Sequence, residues 1–208
     1  MRKVISNNYV DDVYRSGKLF IEVGPDDLIT PLAQDRIREL GMVIKSADNS
    51  GDEADKMNIV ALGCDHTGYK LKILLKEELS KKGFEIIDVG TNTESSCDYP
   101  DYALAVAQKV IEHKVDFGIM VDATGVPSAI TANKVPGIRA ATCYNEFTAW
   151  SARNHNNANI MVVGAKAIGD ETAKSILNKW LETNFEGGRH QNRLDKITKI
   201  EEQFYKAK

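Results

Sequence analysis

Asn58-Ile-Val-Ala-Leu-Gly63, the stretch Leu71 to Lys82, and Phe84-Glu-Ile-Ile-Asp-Val89 together decide the fold. The first is a short, almost unbroken apolar run, which reads as a strand buried on both faces. The second carries Leu71, Ile73, Leu74, Leu75 and Leu79 inside a helix. The third returns to a strand. A strand, a helix and a second strand in this order pair in parallel, with the helix as the crossover. The alternation continues downstream. Tyr102 to His113 reads as a helix, Phe117-Gly-Ile-Met-Val121 and Ile138 to Thr142 as strands, and Phe147 to Asn154 as a helix. Ile160-Met-Val-Val163 is the next strand, and Glu171 to Thr183 the next helix. Leu194 to Tyr205 reads as a last helix, placed to reach another subunit. The expectation is an α/β protein, a three-layer α/β/α, Rossmann-like parallel sheet of about five strands.

This body occupies residues 57–208. Just upstream, residues 46–56 have no large apolar side chain and carry four acids, so they read as a solvated acidic linker. Residues 1–45 are expected to be a small extension that docks, targets or oligomerises. Within it, Asn8 to Gly17 reads as a helix and Leu19 to Val23 as a strand. Thr30 should cap a second helix that begins at Pro31 and ends at Gly41. A unit of about 45 residues is marginal for an independent core.

With 42% apolar and 27% charged residues, the chain of 208 residues is not disordered as a whole. No apolar run approaches the roughly 18 residues of a membrane helix. The first residues lack the apolar stretch of a signal peptide. Cys64, Cys97 and Cys143 are odd in number and far apart, which argues against a disulfide framework or a zinc ribbon. A cytoplasmic protein with no membrane partner is expected. The net charge of −3 falls entirely in residues 1–56, with eight Lys/Arg against eleven Asp/Glu, and the rest holds 19 of each. A neutral body has no footprint for nucleic acid. Any anion must be held by local geometry.

Ligands of open parallel sheets bind beyond strand ends, and the candidate residues lie there. Asp65 and His66 follow the first strand as an acid/base pair, a phosphate cradle, or a turn whose Asp caps the next helix. Asp122 follows the third strand as a base, a metal ligand or a helix cap. Thr124 and Gly125 offer a hydroxyl and backbone N–H groups to an oxyanion, or form a plain turn. His155 is a proton carrier or a structural histidine at a helix end. Arg189 and Arg193 stand at i and i+4. They share a face if that stretch is helical, and then grip a phosphate or simply meet solvent.

Five segments in order resemble the ribose-5-phosphate isomerase B family, which is grouped with the galactose-6-phosphate isomerase subunits. They are Gly63-Cys-Asp-His66, Asp98-Tyr-Pro-Asp-Tyr102, Ala132-Asn-Lys-Val-Pro-Gly-Ile-Arg-Ala140, His155-Asn-Asn-Ala-Asn159 and Glu186-Gly-Gly-Arg-His-Gln-Asn-Arg193. The resemblance covers Met57 to about Gln203. It implies an aldose–ketose isomerase of sugar phosphates, most of all ribose 5-phosphate/ribulose 5-phosphate, working through an enediolate with no metal or other cofactor. It implies His155 as the ring-opening proton carrier with Asn156 beside it, and Thr124 and Gly125 as the oxyanion loop. Asp65, His66 and Tyr99 would line the sugar. Arg189 and Arg193, with Lys166, would bind the phosphate, the arginines across the interface of a homodimer or homotetramer. Ile29-Thr-Pro-Leu-Ala33 resembles segments on enzymes of bacterial microcompartments, which implies a shell partner for residues 1–45 and a location inside such a body.

One departure concerns the base. The family has a Cys directly after the third strand; this chain has Asp122, with Ala123 and Pro127 replacing loop glycines. A similar Asp occurs in the galactose-6-phosphate isomerase subunit that lacks the Cys base. An ordinary Asp, with a pKa of about 3.9, is a weaker base than a thiolate at about 8.5, yet is fully ionised at neutral pH. Its side chain reaches one atom further than Cys. Pro127 removes a backbone donor from the loop. Two other readings therefore stand beside the isomerase: an impaired or partner-subunit homologue that binds sugar phosphate, and a non-enzymatic phosphate-binding module delivered by the N-terminal arm.

Overall fold

A computed structural model of the chain describes residues 3–15, 20–24, 27–46 and 58–205. The chain divides into two compact units, Met1–Lys56 and Met57–Lys208. The expected acidic linker lies, Ser46 apart, outside the described residues.

In the larger unit, strands and helices alternate from the start. They run β5 (Ile59–Cys64), α3 (Tyr69–Lys81), β6 (Glu85–Asp88), α4 (Tyr99–Ile111), β7 (Phe117–Asp122) and α5 (Val126–Ala132). Then follow β8 (Ala140–Thr142), α6 (Glu146–Asn154), β9 (Ile160–Gly164), α7 (Asp170–Glu182) and α8 (Arg189–Tyr205). The five strands form one sheet in the order β6-β5-β7-β9-β8, and every neighbouring pair is parallel. This is the expected three-layer α/β/α sheet.

The period of two along each strand sorts side chains between the two layers. On one face Val60, Leu62, Phe117, Ile119, Val121, Met161 and Val163 pack with residues of α3, α6 and α7. On the other, Ala61, Met120, Ile160 and Val162 pack with residues of α4 and α5. Both faces of β7 are covered, which is why its whole length, Phe117–Asp122, is buried. At Gly118 a Cβ would come within 2.5 Å of a Val106 methyl, so α4 sits close against the sheet only because that side chain is missing. Trp180 of α7 is fully buried beside Phe117, their ring centroids 6.5 Å apart. Removing it would cost about 3–5 kcal/mol.

In this unit the elements expected from periodicity are present, with shifted ends. Two differ in substance. The seven-residue α5 is additional: Gly125 precedes it at φ 82° and Pro127 stands in its first turn, where a missing N–H costs nothing. Helix α8 begins at Arg189, five residues ahead of the expected Leu194, so Arg189 and Arg193 lie within its first two turns.

The smaller unit has the elements β1 (Val4–Ile5), α1 (Asn7–Arg15), β2 (Phe20–Val23), β3 (Leu28–Ile29), α2 (Pro31–Glu39) and β4 (Val43–Ser46). Strands β1 and β3 pair in parallel, as do β2 and β4. Thr30 caps α2, its side-chain oxygen accepting the Ala33 N–H at 3.3 Å, and Pro31 opens the helix. A core of Ile5, Val10, Ile21, Ala33, Ile37 and Met42 holds the unit together. Among the described residues, no helix is long and apolar enough to cross a membrane.

Candidate active site

The candidate residues fall into two groups at opposite ends of the sheet. Asp65 and His66 follow β5, Tyr99 opens α4 beyond β6, Asp122 ends β7 with Thr124 and Gly125 after it, and Lys166 follows β9. All lie at the carboxyl ends of strands. His155 and Asn156, by contrast, precede β9 and so lie at its amino end. The segment leading into α8 joins them there: the Glu186 N–H donates to the Asn154 carbonyl at 2.9 Å, and Asn154 Nδ2 donates to the Asn184 carbonyl at 3.1 Å. At about 3.3 Å per residue, the six residues of β7 separate the two ends by roughly 16 Å. That exceeds the length of a pentose phosphate.

At the carboxyl ends, both aspartates are held by backbone. Asp65 Oδ1 accepts from the Thr67 N–H at 2.9 Å, the Thr67 hydroxyl at 2.6 Å and the Gly68 N–H at 3.0 Å, directly ahead of α3. This is the turn-and-cap geometry. Asp122 is 1% exposed. Its Oδ1 accepts from the N–H groups of Thr124, at 2.8 Å, and Gly125, and its Oδ2 from that of Ser128 at 3.0 Å. The amides expected to hold an oxyanion thus point at the Asp122 carboxylate. Gly125 must be Gly: its φ is positive, and a Cβ would come within 2.6 Å of a Thr142 methyl. Thr124 is exposed, and its hydroxyl accepts from the Val126 N–H at 3.3 Å. His66 Nδ1 lies 3.2 Å from both the N–H and the carbonyl of Cys97, which leaves Nε2 for a ligand. Tyr99 is half-buried and Lys166 exposed.

Under this end lies a buried cation. Lys72 Nζ donates to Asp88 Oδ1 at 2.9 Å and to the Thr91 carbonyl at 2.8 Å, and Lys76 donates to Asp88 Oδ2 at 2.9 Å. Burial works to raise the Asp88 pKa, but Lys72, Lys76 and the Gly90 N–H outweigh it and hold the carboxyl below its usual range. Cys64, next to this network, is pushed by burial up to about 12.

At the amino end, cations and imidazoles gather. Arg189 and Arg193 are exposed, while His190 between them is buried. The rings of His155 and His190 stack with centroids 4.2 Å apart and planes 6° from parallel. Arg189 Nε donates to His190 Nε2 at 3.4 Å, and Arg193 Nη1 lies 3.5 Å from His190 Nδ1. Asn156 Nδ2 donates to the Ser151 carbonyl, and Arg139 Nε to the carbonyls of Asn156 and Asn157. Beside this group runs a groove of about 520 Å³, whose lining includes Ile138, Arg139, Phe147, Ser151, Leu194 and Ile197.

Sequence reasoning assigned nothing to His190, although it stands inside the Glu186–Arg193 motif. Its stacking partner is 35 positions away, and no local signal shows that. Among the described residues, His155, Glu186 and His190 form the one cluster of three potential metal ligands, within 4.8 Å of one another. The set fits an ion poorly. Two parallel stacked rings aim their lone pairs along separate planes, and two guanidinium groups crowd His190.

The sequence profile of the ribose/galactose isomerase family matches residues 60–197. This chain belongs to that family. Within the family, ribose-5-phosphate isomerase B of Escherichia coli is 44% identical over 146 residues, 70% of this chain and 98% of that protein. A putative sugar phosphate isomerase of Rickettsia bellii is 46% identical over 138 residues, 66% of this chain and 96% of its own. Among solved structures, ribose-5-phosphate isomerase B of Clostridium thermocellum superposes with a TM-score of 0.70 at 44% identity, covering 70% of this chain and 99% of that one. The Mycoplasma genitalium enzyme, solved with bound ribulose 5-phosphate, gives 0.68 at 41% identity, covering 71% and 99%. The larger unit is therefore a member of the sugar-phosphate isomerase family, by sequence and by fold.

Proposed function

We propose that this chain interconverts ribose 5-phosphate and ribulose 5-phosphate, or a closely related pair, in sites built from two copies. The observation that carries the reading is the division of the candidate residues between the two ends of one sheet. Neither group suffices alone. The carboxyl-end group has a carboxylate, a hydroxyl and an imidazole for the carbon chemistry but only Lys166 as a clear phosphate partner. The amino-end group has two arginines and two histidines but none of the residues assigned to the proton transfer between C2 and C1. A homodimer that sets one copy's carboxyl ends against its partner's amino ends would complete both. The groove by Phe147 and Ile197, together with the exposed Ile200 and Phe204, supplies apolar surface next to the amino-end group.

In this site Arg189 and Arg193 take the phosphate, with Lys166 approaching from the other copy. His155 opens the sugar ring, giving a proton to the ring oxygen and taking one from the C1 hydroxyl, and Asn156 flanks it. Asp65, His66 and Tyr99 line the open chain. The base is Asp122, through Oδ2, which receives a single N–H and keeps a lone pair. It takes the proton from C2 and returns it at C1, while the hydroxyl proton moves from O2 to O1. Because the amides of Thr124 and Gly125 bind Asp122 Oδ1, the oxyanion donor is the Thr124 hydroxyl. Residues 1–45 act as a docking arm, for a microcompartment shell or another partner; Leu32 is 73% exposed there.

The amide-bound carboxylate also favours a second reading, in which Asp122 fills the oxyanion position and silences the reaction while sugar phosphate still binds. Turnover of ribose 5-phosphate, with allose and galactose 6-phosphates alongside, separates the two in the wild type and in Asp122→Cys. Turnover by the wild type supports Asp122 as the base. Activity only in Asp122→Cys supports the silenced site. Activity in neither, on any of the three sugars, overturns the isomerase assignment.

A further inference from the structure

His155 is gripped on three sides. The His190 ring lies flat against its face at 4.2 Å. Trp150 meets it edge-on, with centroids 4.7 Å apart and planes 69° apart. The Ser151 hydroxyl lies 3.4 Å from Nδ1. Trp150 and Ser151 sit on α6, about one turn before its C-cap, His155. His190 alone comes from a distant element, and it is 4% exposed.

His190 is itself fixed at its edge. Arg189 and Arg193 reach its two nitrogens, and Glu186 Oε2 lies 3.7 Å from Nε2. Burial first, then His155, lower its pKa below the ordinary histidine value; Glu186 opposes this, and the two arginines add to it. A neutral ring can lie against a proton carrier in both of that carrier's charge states without repelling it. The surrounding side chains are those proposed to bind the phosphate, so the plate that orients His155 is held by the phosphate clamp.

From this arrangement we infer that His190 is a positioning residue: its stacked ring sets the plane of His155 for ring opening, and the N–H that Arg189 donates to Nε2 holds that ring in place. The inference rests on the proposed isomerase reading. It concerns one step of it, and His190 need not touch the sugar.

The two directions of the reaction isolate that step. Ribose 5-phosphate is mainly a closed ring and must be opened. Ribulose 5-phosphate carries its phosphate on O5, cannot close into a furanose, and enters already open. For His190→Ala, kcat/KM with ribose 5-phosphate should fall by about tenfold or more, a part of what general acid–base catalysis contributes. The rate from ribulose 5-phosphate, followed as open-chain aldehyde by chemical trapping, should fall by about threefold at most. His190→Phe keeps a flat ring and should recover most of the forward loss. Equal losses in both directions, a rise in KM alone, or no rescue by Phe would overturn the inference. Proton NMR of the His155 ring gives a readout independent of turnover. Its ring protons should be shifted by the neighbouring ring in the wild type and in His190→Phe, and revert in His190→Ala. Unchanged His155 signals in His190→Ala would overturn the stack. Should the wild type turn over neither sugar while the stack is present in solution, the isomerase reading falls, and His190's role in ring opening falls with it.

Discussion

The two ends of the sheet handle charge in opposite ways. At the carboxyl ends, acids are enclosed by backbone: Asp65 takes three hydrogen bonds from the turn into α3, and Asp122 takes three from the loop into α5. At the amino end, two guanidinium groups stand exposed around a buried imidazole. Parallel strands explain the contrast. Chain leaving a strand usually enters a helix, whose first N–H groups need acceptors, so an acid there is drawn into capping. At the other end α6 finishes at its C-cap, His155, while the two arginines stand in the first two turns of α8, where the helix end does not neutralise their charge. One end is thus built around carboxylates already in use, and the other presents positive charge free for an anion.

The largest test of this contrast is Asp122→Asn. If Asp122 is the base, kcat falls by about 10²–10⁴, while the Kd for ribulose 5-phosphate by calorimetry changes by threefold at most. A fall in affinity instead would make Asp122 a structural cap alone. Next comes Lys72→Met, which takes the buried cation from Asp88 and the Thr91 carbonyl and leaves Asp88 with Lys76 and the Gly90 N–H. Loss of a charged hydrogen bond should cost about 1.5–3 kcal/mol by urea denaturation. The same pair gives a pH signature. The Asp88 pKa is depressed in the fold, so its contribution is present above the unfolded value of about 3.9 and is lost as pH falls through the lower folded value. Asp88→Asn should flatten stability below about pH 4.

Arg193→Ala probes the other end. Loss of a charged hydrogen bond worth about 1.5–3 kcal/mol should raise KM about 10- to 100-fold and leave kcat nearly unchanged. Co-expressed with Asp122→Asn, it should give roughly a quarter of the wild-type kcat/KM, because half the dimers are mixed and each carries one intact site. No recovery would put both groups in one subunit's site. The smallest effect concerns thiols. Burial holds Cys64 and Cys143 at about 12, so neither should react with iodoacetamide at pH 8. Half-buried Cys97, its sulfur 3.8 Å from His66 Nδ1, should react and slow only the carboxyl-end chemistry. Mass spectrometry of the labelled peptides checks this.

Much of the fold was legible because buried parallel strands are unbroken apolar runs. Val60 to Leu62 and Phe117 to Val121 need no partner to be recognised. Strands β1 and β3, two residues each, offer no periodicity, and α5 is too short to show any. The early start of α8 was hidden because residues 189–193 carry no apolar side chain. The site was half legible. His155 precedes a strand and Asp122 follows one, and in a parallel sheet that order already assigns them to opposite ends. What Asp122 binds was not legible, since a base, a ligand and a cap look alike as a letter.

From its residues alone, then, this protein is determined to be a parallel α/β sheet of the ribose/galactose isomerase family, because apolar period and short motifs are local properties that survive without a structure. Only the tertiary structure decided that the Asp122 carboxylate is held by the amides expected to bind an oxyanion, that Lys72 is buried against Asp88, and that His190 lies flat on His155. Each of these depends on where distant or turning segments bring one atom within a few ångströms of another, and a linear spacing carries no such distance.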